Sequence, residues 1–146
     1  MSTKVLEVAI LSRLTGDVTL MALVGQGVWN TYRPEEIEKD TAQPLTWVTF
    51  TVIEDGEPND ATGGRFKDVL VQIMAYADAT EGSTKALNID DRITTLINDW
   101  TPTLTGWAGV WKAYRTDTLE AVMWQNAQVI EYQIGGLYRF QYGQST

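Results

Sequence analysis

The chain has 146 residues, enough for one domain that buries ~70% of the surface its unfolded form exposes, and its 44% hydrophobic and 21% charged residues exclude a disordered or fibrous protein. With no cysteine and no histidine it lacks disulfides, thiolate nucleophiles, imidazole bases and the usual zinc ligand sets. A net charge of −8 opposes tight binding to a phosphate backbone, so DNA enters the reading only as something that passes by.

The amino terminus, MSTKVLEVAILSRLTGD, interrupts its apolar run with Glu7 and Arg13 and reads as a helix, not a signal peptide. No apolar run approaches the roughly 18 residues of a membrane span, so no membrane is expected. Leu6, Ile10 and Leu14 recur every four residues, while Val8 and Leu11 put apolar surface on another side, which predicts a helix covered from two directions. Asp17 then reads as the N-cap of a short helical turn that Gly25 ends. The following connector runs to Asp40 and is expected to be anchored by Trp29 and Tyr32, with its acids in solvent.

After Pro44, LTWVTFTVI alternates Val48, Phe50 and Val52 against Trp47, Thr49 and Thr51, as a strand does. A second strand runs through RFKDVLVQIMAYA. Between them EDGEPNDATGG is too long for a tight hairpin and too polar for a core, which predicts an exposed acidic arm over 54–64. Ala86, Ile89, Ile93, Leu96, Ile97 and Trp100 share about a third of a helical wheel, with Thr101-Pro102 as the stop. Three β-like runs close the chain: GWAGVWKAYRTD, LEAVMWQNA and QVIEYQIGGLYRFQY, the last with a bulge or bend expected at Gly135-Gly136. The predicted fold is α+β, a single domain over 1–146 with an antiparallel or mixed sheet of about five strands packed with two main helices.

The chemistry-bearing clusters favour plain readings. Glu35, Glu36, Glu38 and Asp40, with Glu54, Asp55, Glu57 and Asp60, lack the alternate ligand spacing of a calcium loop and suit solvated segments. Gly25-Gln26-Gly27 and Gly63-Gly64-Arg65 are too short for phosphate loops, and no serine has a nucleophile-elbow context. The 19 acids offer too many pairs for any one to argue for glycoside hydrolysis. Trp107 and Trp111 are an even number apart, which on a regular strand places them on one face, and Trp47 lies opposite Val48 and Phe50. Such aromatics could stack sugars or bases, but core packing or a subunit interface fits a chain so poor in cations better.

LEVAILSRLTGDVTLMALVGQGVWNTYRPEE followed by PLTWVTFTV, then DVLVQIMAYADATEGSTKALNIDDRITTLIND and the closing GLYRFQYG, resembles in order and spacing the tail-terminator, or tail-completion, proteins of tailed bacteriophages. That resemblance spans nearly the whole chain. It implies a ring-forming subunit, usually hexameric, at the head-proximal end of the tail in the virion, assembled in the host cytoplasm. The ring would cap the tube, stop its elongation and dock the tail to the head connector, with no chemical step and no cofactor. Its implied partners are further copies of itself, the tail tube protein and the connector or adaptor protein, with DNA as cargo in the lumen. Lateral sheet-edge pairing would close the ring. The interface residues expected are Trp29, Tyr32, Trp47, Glu54, Asp55, Glu57, Asp60, Arg65, Trp107, Trp111, Tyr138 and Phe140. The alternatives are a head–tail adaptor ring and, from another class, a small carbohydrate-binding or hydrolytic domain.

Overall fold

The computed structural model of the chain describes residues 4–56, 66–104 and 106–144. Helix α1 covers Lys4–Thr15 and α2 Val18–Leu23, followed by a short strand β1 at Val28–Asn30 and a single helical turn α3 at Glu35–Glu38. Strands β2 (Thr46–Gly56) and β3 (Phe66–Asp78) precede helix α4 (Ser83–Ile97), and the chain ends in a long hairpin of β4 (Trp107–Gln125) and β5 (Gln128–Gln144). The five strands form one mixed sheet in the order β1-β2-β3-β5-β4, with β1 parallel to β2 and every other pair antiparallel. This is the expected α+β architecture.

The helices lie on the sheet face that the alternation of β2 and β3 makes apolar. Leu6, Ile10 and Leu14 of α1, Leu20 of α2 and Ile89, Ile93 and Ile97 of α4 close over Val48, Phe50, Val69, Val71, Ile73 and Ala75 in one continuous core. Each such side chain gains ~1.5–3 kcal/mol from full burial, which is why the periodic stripes decide where the helices sit. Asp17 caps α2 by accepting a hydrogen bond from the Leu20 amide at 2.8 Å, and it also receives Arg92 Nε at 2.9 Å and Nη2 at 2.8 Å. One carboxylate thus ties α2 to α4.

Several expectations are corrected. The runs GWAGVWKAYRTD and LEAVMWQNA are one strand, not two. Helix α4 stops at Ile97, before Thr101-Pro102, because the chain turns at Asp99 (φ 63) and the Asp99 amide is spent on Ala113 O. Trp100 therefore lies beyond the helix, edge-on to Phe140 with Arg13 over its ring. No bulge occurs at Gly135-Gly136, since β3 pairs with β5 without a shift from Phe66↔Gly143 to Asp78↔Glu131. The register slips between β4 and β5 instead, among other places between Arg115 and Asp117.

The two glycines are there to make room. A Cβ on Gly135 would collide with the Ile73 carbonyl and Met74, and one on Gly136 would stand 2.6 Å from Arg115 Nε. The guanidinium of Arg115 passes through that space. Its Nη1 donates to Asp90 Oδ1 (3.0 Å), Thr94 Oγ1 (2.6 Å) and Tyr138 Oη (3.2 Å), and its Nη2 donates to the Gly135 carbonyl (2.6 Å). Burial pushes the Asp90 carboxyl above its usual range against the pull of Arg115, and burial likewise raises the Tyr138 hydroxyl. Nε of Arg115, pressed against Gly136, is the single buried side-chain polar atom without a partner among the described residues.

Candidate subunit interface

The hairpin of β4 and β5 is an edge feature. From Val110 to Arg115 the outer side of β4 is covered: the Val110 amide donates to Pro102 O, Ala113 O accepts from Asp99, and the Arg115 amide donates to Asn98 Oδ1. Beyond Arg115 that cover ends. Among the described residues, no backbone hydrogen bond other than those to β5 reaches β4 from Thr116 to Gln125, and every residue there except Leu119 is exposed. The turn is a two-residue loop in which Asn126 (φ 52) and Ala127 (φ 61) both adopt left-handed backbone, the mirror-image turn that matches strand twist. Around it Val122, Met123, Trp124 and Ile130 are exposed, with Trp124 at 66%. An open strand edge carrying such residues invites another chain.

The opposite edge is not equivalent. There β1 contributes only three residues, pairs with β2, and has α1 packed near it, with Asn30 Nδ2 donating to Glu7.

The connector from Gly25 to Asp40 is organised by a residue that its sequence does not advertise. Gln26 is buried, and its side-chain amide donates to Ile37 O (3.0 Å) and Asp40 O (2.8 Å) while its Oε1 accepts from Arg33 Nη1 (2.5 Å). Arg33 then lies 3.5 Å over Trp47, which stacks on Tyr76 with ring centroids 5.1 Å apart. Burial pulls the Arg33 guanidinium below its usual range, with the charges of Glu38, Glu131 and Asp78 acting the other way. Trp29 does contribute an anchor, donating to Gln26 O at 2.7 Å. Tyr32 does not: it is 73% exposed, because Thr31 turns the chain through a positive φ and directs the next residue outward.

The remaining predicted positions separate by burial. Tyr138 and Phe140 are wholly buried, so they are core residues and cannot meet a neighbour; the alternation of β5 points them at the helices. Trp47 is almost fully buried on the other sheet face, beneath Arg33. Glu54 and Asp55 belong to β2, paired with Leu70 and Val69, and Asp55 Oδ1 receives the buried Lys67 Nζ at 2.6 Å. Glu57, Asp60 and Arg65 lie outside the described residues. Trp107 and Trp111 lie on β4 with their side chains outside the described residues, and the register slips between Trp107 and Gly109 and again between Val110 and Lys112, so even spacing no longer fixes a common face. The hairpin-tip residues Val122, Met123 and Trp124 were not among the expected contacts; their signal was a tryptophan beside Gln-Asn in a run with no buried face.

Residues 8–128 match the family of Tail completion protein gp17. Among solved structures, the chain is similar to one from the virion of a native gene transfer agent particle, at 18% identity and a TM-score of 0.72 over 92% of this chain and 91% of that one. A second solved structure aligns at 13% identity and a TM-score of 0.59 over 100% of this chain and 97% of that one. At such identities both speak for the fold alone. No curated protein matches.

Proposed function

Because this chain belongs to the tail completion protein gp17 family, a family of structural proteins of the bacteriophage virion, we propose that it forms a ring capping the head-proximal end of the tail tube, stops tube elongation and docks the tail to the head connector. The observation that carries the reading is the open outer edge of β4 from Thr116 to Gln125 with exposed Val122, Met123 and Trp124 beside it. A lone subunit leaves these wet, and sister subunits cover them. The number of copies is taken as six from the family resemblance. The mechanism is steric and interfacial: a completed ring presents the tube with a surface on which no further tube subunit fits, and its other face meets the connector. The subunit's net charge of −8 lets DNA slide through the lumen without adhering. Assembly takes place in the host cytoplasm and the finished ring travels in the virion.

The predicted interface residues that remain available are the exposed Tyr32, Glu54 and Asp55, the half-buried Trp29, and Glu57, Asp60, Arg65, Trp107 and Trp111. The test is electron microscopy of the purified protein together with particles made without it. Closed rings in the first, and overlong or headless tails in the second, are expected. Normal tails firmly joined to heads in its absence would defeat the reading. The runner-up, an adaptor ring of the connector, predicts that a tagged subunit stays with tail-less heads instead of head-less tails.

A further inference from the structure

We propose that neighbouring copies join head to tail, the β4–β5 hairpin tip of one seating on the outer face of α1 of the next; this deepens the ring reading and rests on it. The first helix has a second apolar side that the fold does not use. Val8 is 55% exposed and Leu11 39% exposed. They form a ridge with a groove on either flank, one of about 310 Å³ bounded by Val5, Ala9, Thr103 and Leu104, the other of about 210 Å³ bounded by Asn30 and Phe50. Exposed apolar side chains gathered around grooves on a small protein mark a contact surface.

The tip supplies what the grooves lack. It carries exposed Val122, Met123, Trp124 and Ile130, and Trp is among the residues that dominate interface energies when seated in a pocket. The charges complement each other. Between Arg115 and Arg139 the hairpin has Asp117, Glu120 and Glu131 and no cation, whereas on α1 Lys4 borders both grooves and Glu7 only one of them, Arg13 lying on the other side of the helix, over Trp100 and donating to Leu96 O. The two surfaces cannot meet within one chain. Helix α1 packs near β1 at one edge of the sheet and the hairpin forms the other, and the groove wall at Thr103–Leu104 precedes the start of β4 while the tip lies at its finish. A strand of that length separates its ends by on the order of 50 Å.

Symmetry decides between this contact and a simpler one. Pairing the free edge of β4 with the same edge of a second copy is isologous, uses up both surfaces at once and closes a dimer. A ring needs two different surfaces that repeat from copy to copy, and tip and helix are such a pair. The β4 edge then lies along its neighbour as an accessory to the tip.

The test uses the full chain and sedimentation velocity over a concentration series, with circular dichroism to confirm that each variant is folded; both substituted sites are exposed, so folding should be unaffected. Wild type is expected to form a closed oligomer. Trp124→Asp and Val8→Asp should each weaken association by at least about 30-fold and sediment as monomers. Mixed in equal amounts they should form a dimer and nothing larger, because each supplies the one surface the other has lost. Either variant assembling like wild type, or a mixture that stays monomeric, overturns the head-to-tail contact while leaving the ring reading standing. A wild type that remains monomeric at every concentration and yields no rings defeats the ring reading, and this contact with it.

Discussion

From Val110 to Arg115, β4 is held on both sides, by β5 and by the segment Asn98–Pro102, and ends in an arginine threaded between α4 and β5. From Thr116 to Gln125 the same strand has β5 on one side and solvent on the other. Hydrogen bonds and burial concentrate in the first half; exposed apolar side chains concentrate in the second. The difference teaches that one strand can be divided between a stretch that the fold encloses and a stretch that it leaves open, with Arg115 at the boundary.

The contrast breaks most clearly at Arg115. Replacing it with Met removes the partner of a buried Asp90 and leaves four acceptor groups short of a donor, so chemical denaturation should show a loss of about 3–5 kcal/mol. A loss under about 1 kcal/mol would mean that the proximal half is not what fixes the hairpin. A second check lies in the helical layer, away from β4. Hydrogen bonding to Arg92, against the opposing effect of burial and with help from the Leu20 amide, lowers the Asp17 carboxyl from 3.8 to about 2. A depressed carboxyl contributes stability that is present above its unfolded value and lost as pH falls, so acid unfolding should draw on it between about pH 4 and pH 2. Asp17→Asn should abolish that part of the pH dependence and, read by urea unfolding at neutral pH, reduce stability by about 1 kcal/mol.

At the far end of the hairpin the sign reverses. Ala127 holds a left-handed conformation that suits glycine, so Ala127→Gly should raise the thermal midpoint through a gain of about 1 kcal/mol or less. The smallest effect sharpens the contrast best: Trp124→Ser should change monomer stability by no more than about 0.5 kcal/mol in denaturation at low concentration, because that side chain is exposed in the free subunit. A large loss would show that the distal half belongs to the fold.

Sequence alone made the periodic elements legible. The face Ala86, Ile89, Ile93, Leu96, Ile97 of α4 and the alternation of β2 and β3 are written in single-residue periods, and all of the α4 residues named are buried. Strand β4 was read as two because Arg115-Thr-Asp-Thr118 interrupts its apolar pattern, which happens wherever an edge strand faces water on more than one side. Strand β1 and α3 escaped notice because they are too short to carry a period and depend on distant partners, β2 for the one and Gln26 for the other. Tyr138 and Phe140 were assigned to a surface because the sequence of β5 does not say which of its faces the helices will cover. The tip residues had no periodic context at all, and only the fold reveals that none of the described residues covers them.

The threading of Arg115 past Gly136 also orders events in time. Its guanidinium joins three elements that start far apart in the chain, so the bonds can form only after the hairpin has zipped and α4 has docked. Contacts made this late mainly slow unfolding and leave the folding rate almost untouched. Stopped-flow traces of Arg115→Met should therefore show faster unfolding with little change in refolding, and a subunit whose hairpin is not yet locked would have no rigid tip to offer a growing assembly.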